Sequence, residues 1–266
     1  AMLCTLGSIP VIYKFFPFYK SYLKKESIDL PYVTGLLCLA GTIIMIFIGW
    51  LCKDIIVRKF SEKSPLFVEY SFLVYPYSLL MLCFMWMESF AISLHKGVYS
   101  NSFREILPRL IFTIILLLFS FSILSERQLY VLFSFSYLIP VILLYILLKK
   151  TGHFRIVPKI SSLTTRLGGK MASFGLFVFG AQFLNLLSKT VDTFIISAKS
   201  NNGLADTAIF TIATYIVTLM EVPQRSMNSV TIPVLAESWK NKDLDRIGRI
   251  YKKSVTNLLV VGLAMF

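Results

Sequence analysis

Apolar residues in this chain come in long runs separated by short polar segments. Six runs are whole, at residues 31–52, 70–94, 107–124, 129–148, 173–198 and 207–235. Two more, 1–13 and 255–266, reach the ends of the chain. A helix needs about 20 apolar residues to cross the hydrocarbon core of a bilayer. The pattern therefore predicts an all-α, polytopic bundle of transmembrane helices. Because it opens and stops inside an apolar run, the chain is expected to be a fragment of a longer protein.

Composition agrees. The 266 residues are 56% hydrophobic and 15% charged, where soluble domains carry about 25% charged residues. Mean hydropathy is +0.72. The net charge of +13 comes from 27 basic and 14 acidic residues. On a soluble protein that excess suggests nucleic acid. Here it lies in the inter-run segments, so topology and contact with anionic headgroups are the better reading, with no nucleic-acid partner. Cys4, Cys38, Cys52 and Cys83 sit in or beside apolar runs without a CxxC pair. His95 and His153 stand alone in segments. Neither a metal site nor a cofactor is expected.

The charges also give an orientation. Alternate segments share a side of the membrane. Segments 14–29, 95–106, 149–172 and 236–254 hold 18 Lys and Arg, against 6 in 53–64, 125–128 and 199–206. The positive-inside rule puts the first set in the cytoplasm. Trp50, Tyr130 and Phe15-Phe16-Pro17-Phe18 fall where interfacial aromatic belts are expected. Residues 240–253 space Leu244, Ile247, Ile250 and Tyr251 as on a helix, with charges between. They read as an amphipathic helix on the inner surface or as a solvated connector.

Segment 149–172 is the longest, basic, and contains Gly152, Pro158, Gly168 and Gly169. It divides the chain into residues 1–148, a linker, and residues 173–266. Ser8-Ile9-Pro10-Val11-Ile12 and Thr231-Ile232-Pro233-Val234-Leu235 are similar and both precede a basic segment. Repeated halves of this kind are common in transporters.

A charge at the bilayer centre costs about 2.5–3.5 kcal/mol, so ionisable residues inside runs are candidate sites. Lys189 and Asp192 are three apart on one helical face, continued by Gln182 and Asn185. They form a transport site or a self-neutralising pair. Glu221 and Arg225 flank Pro223. Either a discontinuous transport helix passes here, or the span ends near Pro223 and the pair is interfacial. Glu88 is an interfacial acid or an ion carrier. Arg109, in the first turn of its run, snorkels to the surface or lines a cavity. Lys14 closes the first run and is a candidate for the inner mouth. The chain has no GxxxxGK[ST] and no Gly-x-Ser-x-Gly, and segments 125–128 and 199–206 offer little room for catalytic acids. An enzyme is not expected.

Val191-Asp192-Thr193-Phe194-Ile195-Ile196, Ala208-Ile209-Phe210-Thr211-Ile212-Ala213, Val222-Pro223-Gln224-Arg225-Ser226 and Ile232-Pro233-Val234-Leu235-Ala236 carry a further signal. With Lys14-Phe15-Phe16-Pro17, they resemble the polysaccharide transporter (O-antigen flippase) family. That family lies in the superfamily of multidrug and lipid-linked oligosaccharide exporters. The resemblance implies two pseudo-symmetric (MATE-like) lobes around a central cavity. Residues 1–148 would then be helices two to six, and residues 173–266 helices seven to nine. It implies outward movement of lipid-linked oligosaccharide diphosphate across the bacterial cytoplasmic membrane, by alternating access driven by H+ or Na+, for lipopolysaccharide or capsule synthesis. Asp192 matches an acidic position of the family's seventh helix.

On this reading Lys189, Arg225, Arg109 and Lys14 are the candidates to neutralise the diphosphate. Asp192, Glu221 and Glu88 are the candidates to couple to the ion. The alternatives are a multidrug cation antiporter and a membrane-embedded glycan polymerase or transferase. The orientation has a direct check. With the native cysteines replaced by alanine, a Lys159→Cys variant should resist an impermeant thiol reagent in intact cells and react after permeabilisation. Labelling from outside would reverse the topology.

Overall fold

The structure, a computed structural model, describes residues 3–60, 65–152, 154–199 and 204–265. Helix makes up 87% of it, and no strand occurs among the described residues. A helix satisfies its backbone polar groups within itself, which hydrocarbon requires. The helices are α1 (Ser8–Tyr22), α2 (Leu30–Leu51), α3 (Lys53–Phe60), α4 (Pro65–Tyr70), α5 (Val74–Ser93) and α6 (Gly97–Glu105). They continue with α7 (Leu107–Ser120), α8 (Glu126–Ser134), α9 (Leu138–Thr151), α10 (Ser162–Lys199), α11 (Leu204–Lys240) and α12 (Leu244–Met265). Among the described residues four helical stretches are long and apolar enough to cross a membrane: Leu30–Leu51, Val68–Ser93, Glu126–Thr151 and Ser162–Thr193. The protein is an all-α bundle of membrane type.

Several elements differ from the sequence expectation. α7 has 14 residues, which rise only about 21 Å. In α11 the apolar part is Asp206–Thr218. The first run is not one helix. Leu6 and Gly7 take positive φ, 47° and 77°, and separate a 3-10 turn from α1. α1 then continues through Lys14 and Pro17 to Tyr22. The run 129–148 is interrupted between α8 and α9. The expected linker is mostly helical. Gly152, at φ 68°, ends α9, and α10 starts at Ser162 and absorbs Gly168 and Gly169. The basic segment after α11 and the last apolar run form one helix, α12. The similar pentapeptides are placed differently: 8–12 opens α1, while 231–235 lies late in α11.

The core is α1 against α5 and α9. Val11, Ile12, Phe15, Phe16 and Tyr19 meet Phe84, Met87, Phe90, Leu144 and Leu148. Phe16 and Phe90 pack edge to face at 5.7 Å. α10 and α11 both return to α1. At Gly7 a Cβ would collide with the carbonyl of Gly175, so α1 and α10 touch backbone to backbone.

Asp29 holds the start of α10. Its carboxylate, fully buried, accepts from Ser161 N–H at 2.8 Å, Ser161 Oγ at 2.9 Å and Thr164 Oγ1 at 2.7 Å. The Thr164 hydrogen is thereby used, so Tyr19 donates to Thr164 Oγ1 at 2.6 Å. Lys240 donates to Ser21, and His95 Nε2 lies 4.0 Å from a Glu237 oxygen. These contacts gather segments 14–29, 95–106, 149–172 and 236–254 at one end of the bundle, here called the basic end.

Removing the Asp29 carboxylate strands three donors. Asp29→Ala should cost about 2–4 kcal/mol, read as a lower Tm of the detergent-purified protein, with Asp29→Asn in between.

Candidate functional site

Six charged side chains from α5, α6, α7 and α11 form one chain of contacts. The local sequence sets it up. α5 closes on His95, whose φ of 59° is left-handed. Lys96 N–H returns to Ala91 O at 2.8 Å and His95 N–H to Ile92 O at 3.0 Å. This 6→1 and 5→2 pairing reverses the chain at once. α6 then runs back beside α5. It ends where Pro108 has no N–H to offer the carbonyl of Arg104, and α7 begins.

Gly97, Asn101 and Glu105 are four apart and make one stripe along α6. α11 lies antiparallel on that stripe. At Gly97 a Cβ would collide with the carbonyl of Ser229. Asn101 Nδ2 donates to Ser226 Oγ at 3.0 Å. The third position brings Glu105 to Arg225.

The charges connect as follows. Arg104 Nη1 donates to Glu88 Oε2 at 3.0 Å. Arg109 Nη2 donates to Glu105 Oε2 at 2.9 Å. Arg225 Nη2 donates to Glu221 Oε2 at 3.0 Å. Glu105 Oε1 sits between Arg104 Nε at 3.5 Å and Arg225 Nη1 at 3.6 Å. The depth is graded. The Glu88 side chain is 5% exposed and that of Glu105 15%, while Arg225 is 40% and Arg109 66% exposed. Burial works against the Arg104 charge, and the Glu88 and Glu105 carboxylates outweigh it, holding the guanidinium above its ordinary value.

Four of the sequence candidates thus meet: Glu88, Arg109, Glu221 and Arg225. Each faces an opposite charge, so none of the basic ones is a bare cation. Glu221 and Arg225 pair one turn apart on α11, and α11 stays helical through Pro223 and Pro233, so the helix is not broken at Pro223. The other three candidates are elsewhere. Lys14 lies mid-α1, not at a span end, with Nζ 3.9 Å from the Phe174 ring centroid. It makes a cation–π contact. Asp192 is exposed on α10, and among the described residues it makes no ion pair. The Lys189 side chain lies outside the described residues.

Arg104 and Glu105 were missed as site residues because they read as solvated loop charges. The available signal was the i,i+4 spacing of Glu105 and Arg109 across the start of a span. Among the described residues no cluster of three potential metal ligands occurs. Separately, α1, α2 and α10 enclose an apolar groove of 480 Å³ lined by residues including Val11, Leu37, Met171 and Phe179. Comparison with family models, curated proteins and solved structures finds no match.

Truncating Arg104 would leave Glu88 buried and unpaired. Arg104→Ala should therefore cost about 2–4 kcal/mol, and adding Glu88→Gln should recover part of it. Melting of the single and double variants in detergent checks this.

Proposed function

We propose that this chain acts in an ion-coupled flippase. It would carry a lipid-linked oligosaccharide diphosphate outward across a bacterial cytoplasmic membrane, for lipopolysaccharide or capsular polysaccharide assembly. The observation that carries this reading is the convergence of Arg104, Arg109 and Arg225 on the one carboxylate of Glu105. They come from three helices of a bundle with membrane-length stretches. Guanidinium forks match the oxygens of a phosphate as they match a carboxylate. The apolar groove beside α1 suits the prenyl chain of such a substrate. The basic residues Arg246, Arg249, Lys252 and Lys253 of α12 suit anionic headgroups.

A cation antiporter needs acids free to meet its cargo. Glu88, Glu105 and Glu221 each face an arginine instead, which favours an anionic cargo. Asp192 stands apart from that network and is the better placed acid for a coupling ion, with Glu88 and Glu221 as members of the charge chain. No covalent step is assigned to the protein.

The test uses the full-length protein in cells. Arg225→Ala should lower surface-glycan export at least tenfold at an unchanged amount of protein in the membrane, with Arg225→Lys retaining part. Normal export with Arg225→Ala, or a drug-efflux phenotype with normal glycan, would overturn the reading.

A further inference from the structure

We infer that Glu105 is a built-in counter-ion that occupies an anion site formed by Arg104, Arg109 and Arg225, and that a diphosphate binds there by taking its place. The inference rests on the flippase reading for the identity of the anion, and on geometry for the site.

The geometry has three parts. First, the arginines come from α6, α7 and α11, so the site is assembled between elements rather than along one helix. Second, Glu105 fills it incompletely. Its Oε2 takes a full hydrogen bond from Arg109. Its Oε1 is 3.5 Å from Arg104 Nε and 3.6 Å from Arg225 Nη1, both beyond the usual range for a charge-assisted bond. Among the described residues these two nitrogens donate no hydrogen bond. Two donors near one oxygen without a close acceptor are what an incoming phosphate oxygen needs. Third, Arg109 and Arg225 are 66% and 40% exposed, so protein atoms do not close them off.

The charge balance fits. With Glu88, Glu105 and Glu221 the cluster is neutral. Once the Glu105 carboxylate swings out or is neutralised, the cluster carries one net positive charge and a free bidentate face. Glu105 also joins α6 to α11. Its displacement removes the ion pair between them and replaces it by an anion that both helices grip. Cargo and helix contact then compete for the same guanidiniums. Glu105 is a positioning and specificity residue in this scheme: it sets how strongly an anion must bind to enter.

The experiment measures binding of inorganic pyrophosphate to the purified full-length protein in detergent by titration calorimetry. Glu105→Gln, close in shape but uncharged, should bind pyrophosphate about tenfold more tightly than the unaltered protein, with a smaller gain for Glu105→Asp, which draws the carboxylate back. Arg225→Ala in the Glu105→Gln background should remove the gain. Sodium chloride should weaken binding in each variant. Equal affinity of Glu105→Gln and the unaltered protein overturns the inference, as does a gain that survives Arg225→Ala. If Glu105→Gln does not elute as a monodisperse species, Glu105→Asp decides by the same criterion. The export assay in cells is separate. Tighter pyrophosphate binding without glycan export would leave the anion site standing and remove the flippase reading; export without any effect at Glu105 would do the reverse.

Discussion

Hydrocarbon gives a charge no partner, and that constraint governs both the helices and the placement of charge in this protein. Its backbone is satisfied inside helices. Six of its ionisable side chains are satisfied by one another, in a single chain from Glu88 to Glu221. A buried ion pair is seldom more stable than a well-packed apolar pair. Glu88 is buried on α5 and takes its hydrogen bond from Arg104. The pair it makes with Arg104 joins α6 to α5.

Two kinds of polar contact tie α10 and α11 to the earlier helices. Asp29 is fully enclosed and accepts three hydrogen bonds from the start of α10, with Tyr19 completing the set. Opening it would expose several buried groups at once. The α6–α11 contact is different. It uses a glycine, an amide and a carboxylate spaced four apart, and its charged end is partly exposed. The first contact has the character of a pivot. The second is the one whose partners water or an anion can replace.

Much of the fold was visible in the sequence. The run at 31–52 became α2 with each end moved by one residue, and the run at 70–94 closed within a residue of the end of α5. The misplacements share a cause. Lys14 and Pro17 look like the end of a span, yet α1 is held by its core contacts and passes through both. Gly168 and Gly169 look like a linker, but Ser161 caps α10 ahead of them and Asp29 secures the cap. Asp29 itself gave no signal, because Ser161 lies 132 positions away. Of the site, the residues inside apolar runs were legible because charge there is rare. Arg104 and Glu105 were not, since their role depends on the left-handed turn at His95 folding α6 back. The Lys189–Asp192 face read as a transport site or a self-neutralising pair, and Asp192 is outside the cluster that forms.

The unbroken length of α11 has a mechanical consequence. From Ser229, where its backbone rests on Gly97, to its first residue Leu204, the helix reaches about 38 Å. Its early turns, at Ile209, Ile212 and Tyr215, are exposed. A rod seated near its lower third is a lever. A tilt of about ten degrees on the Gly97 seat would sweep the far tip by roughly 7 Å, so a movement of about 1 Å at Arg225 arrives at the opposite end enlarged several times over.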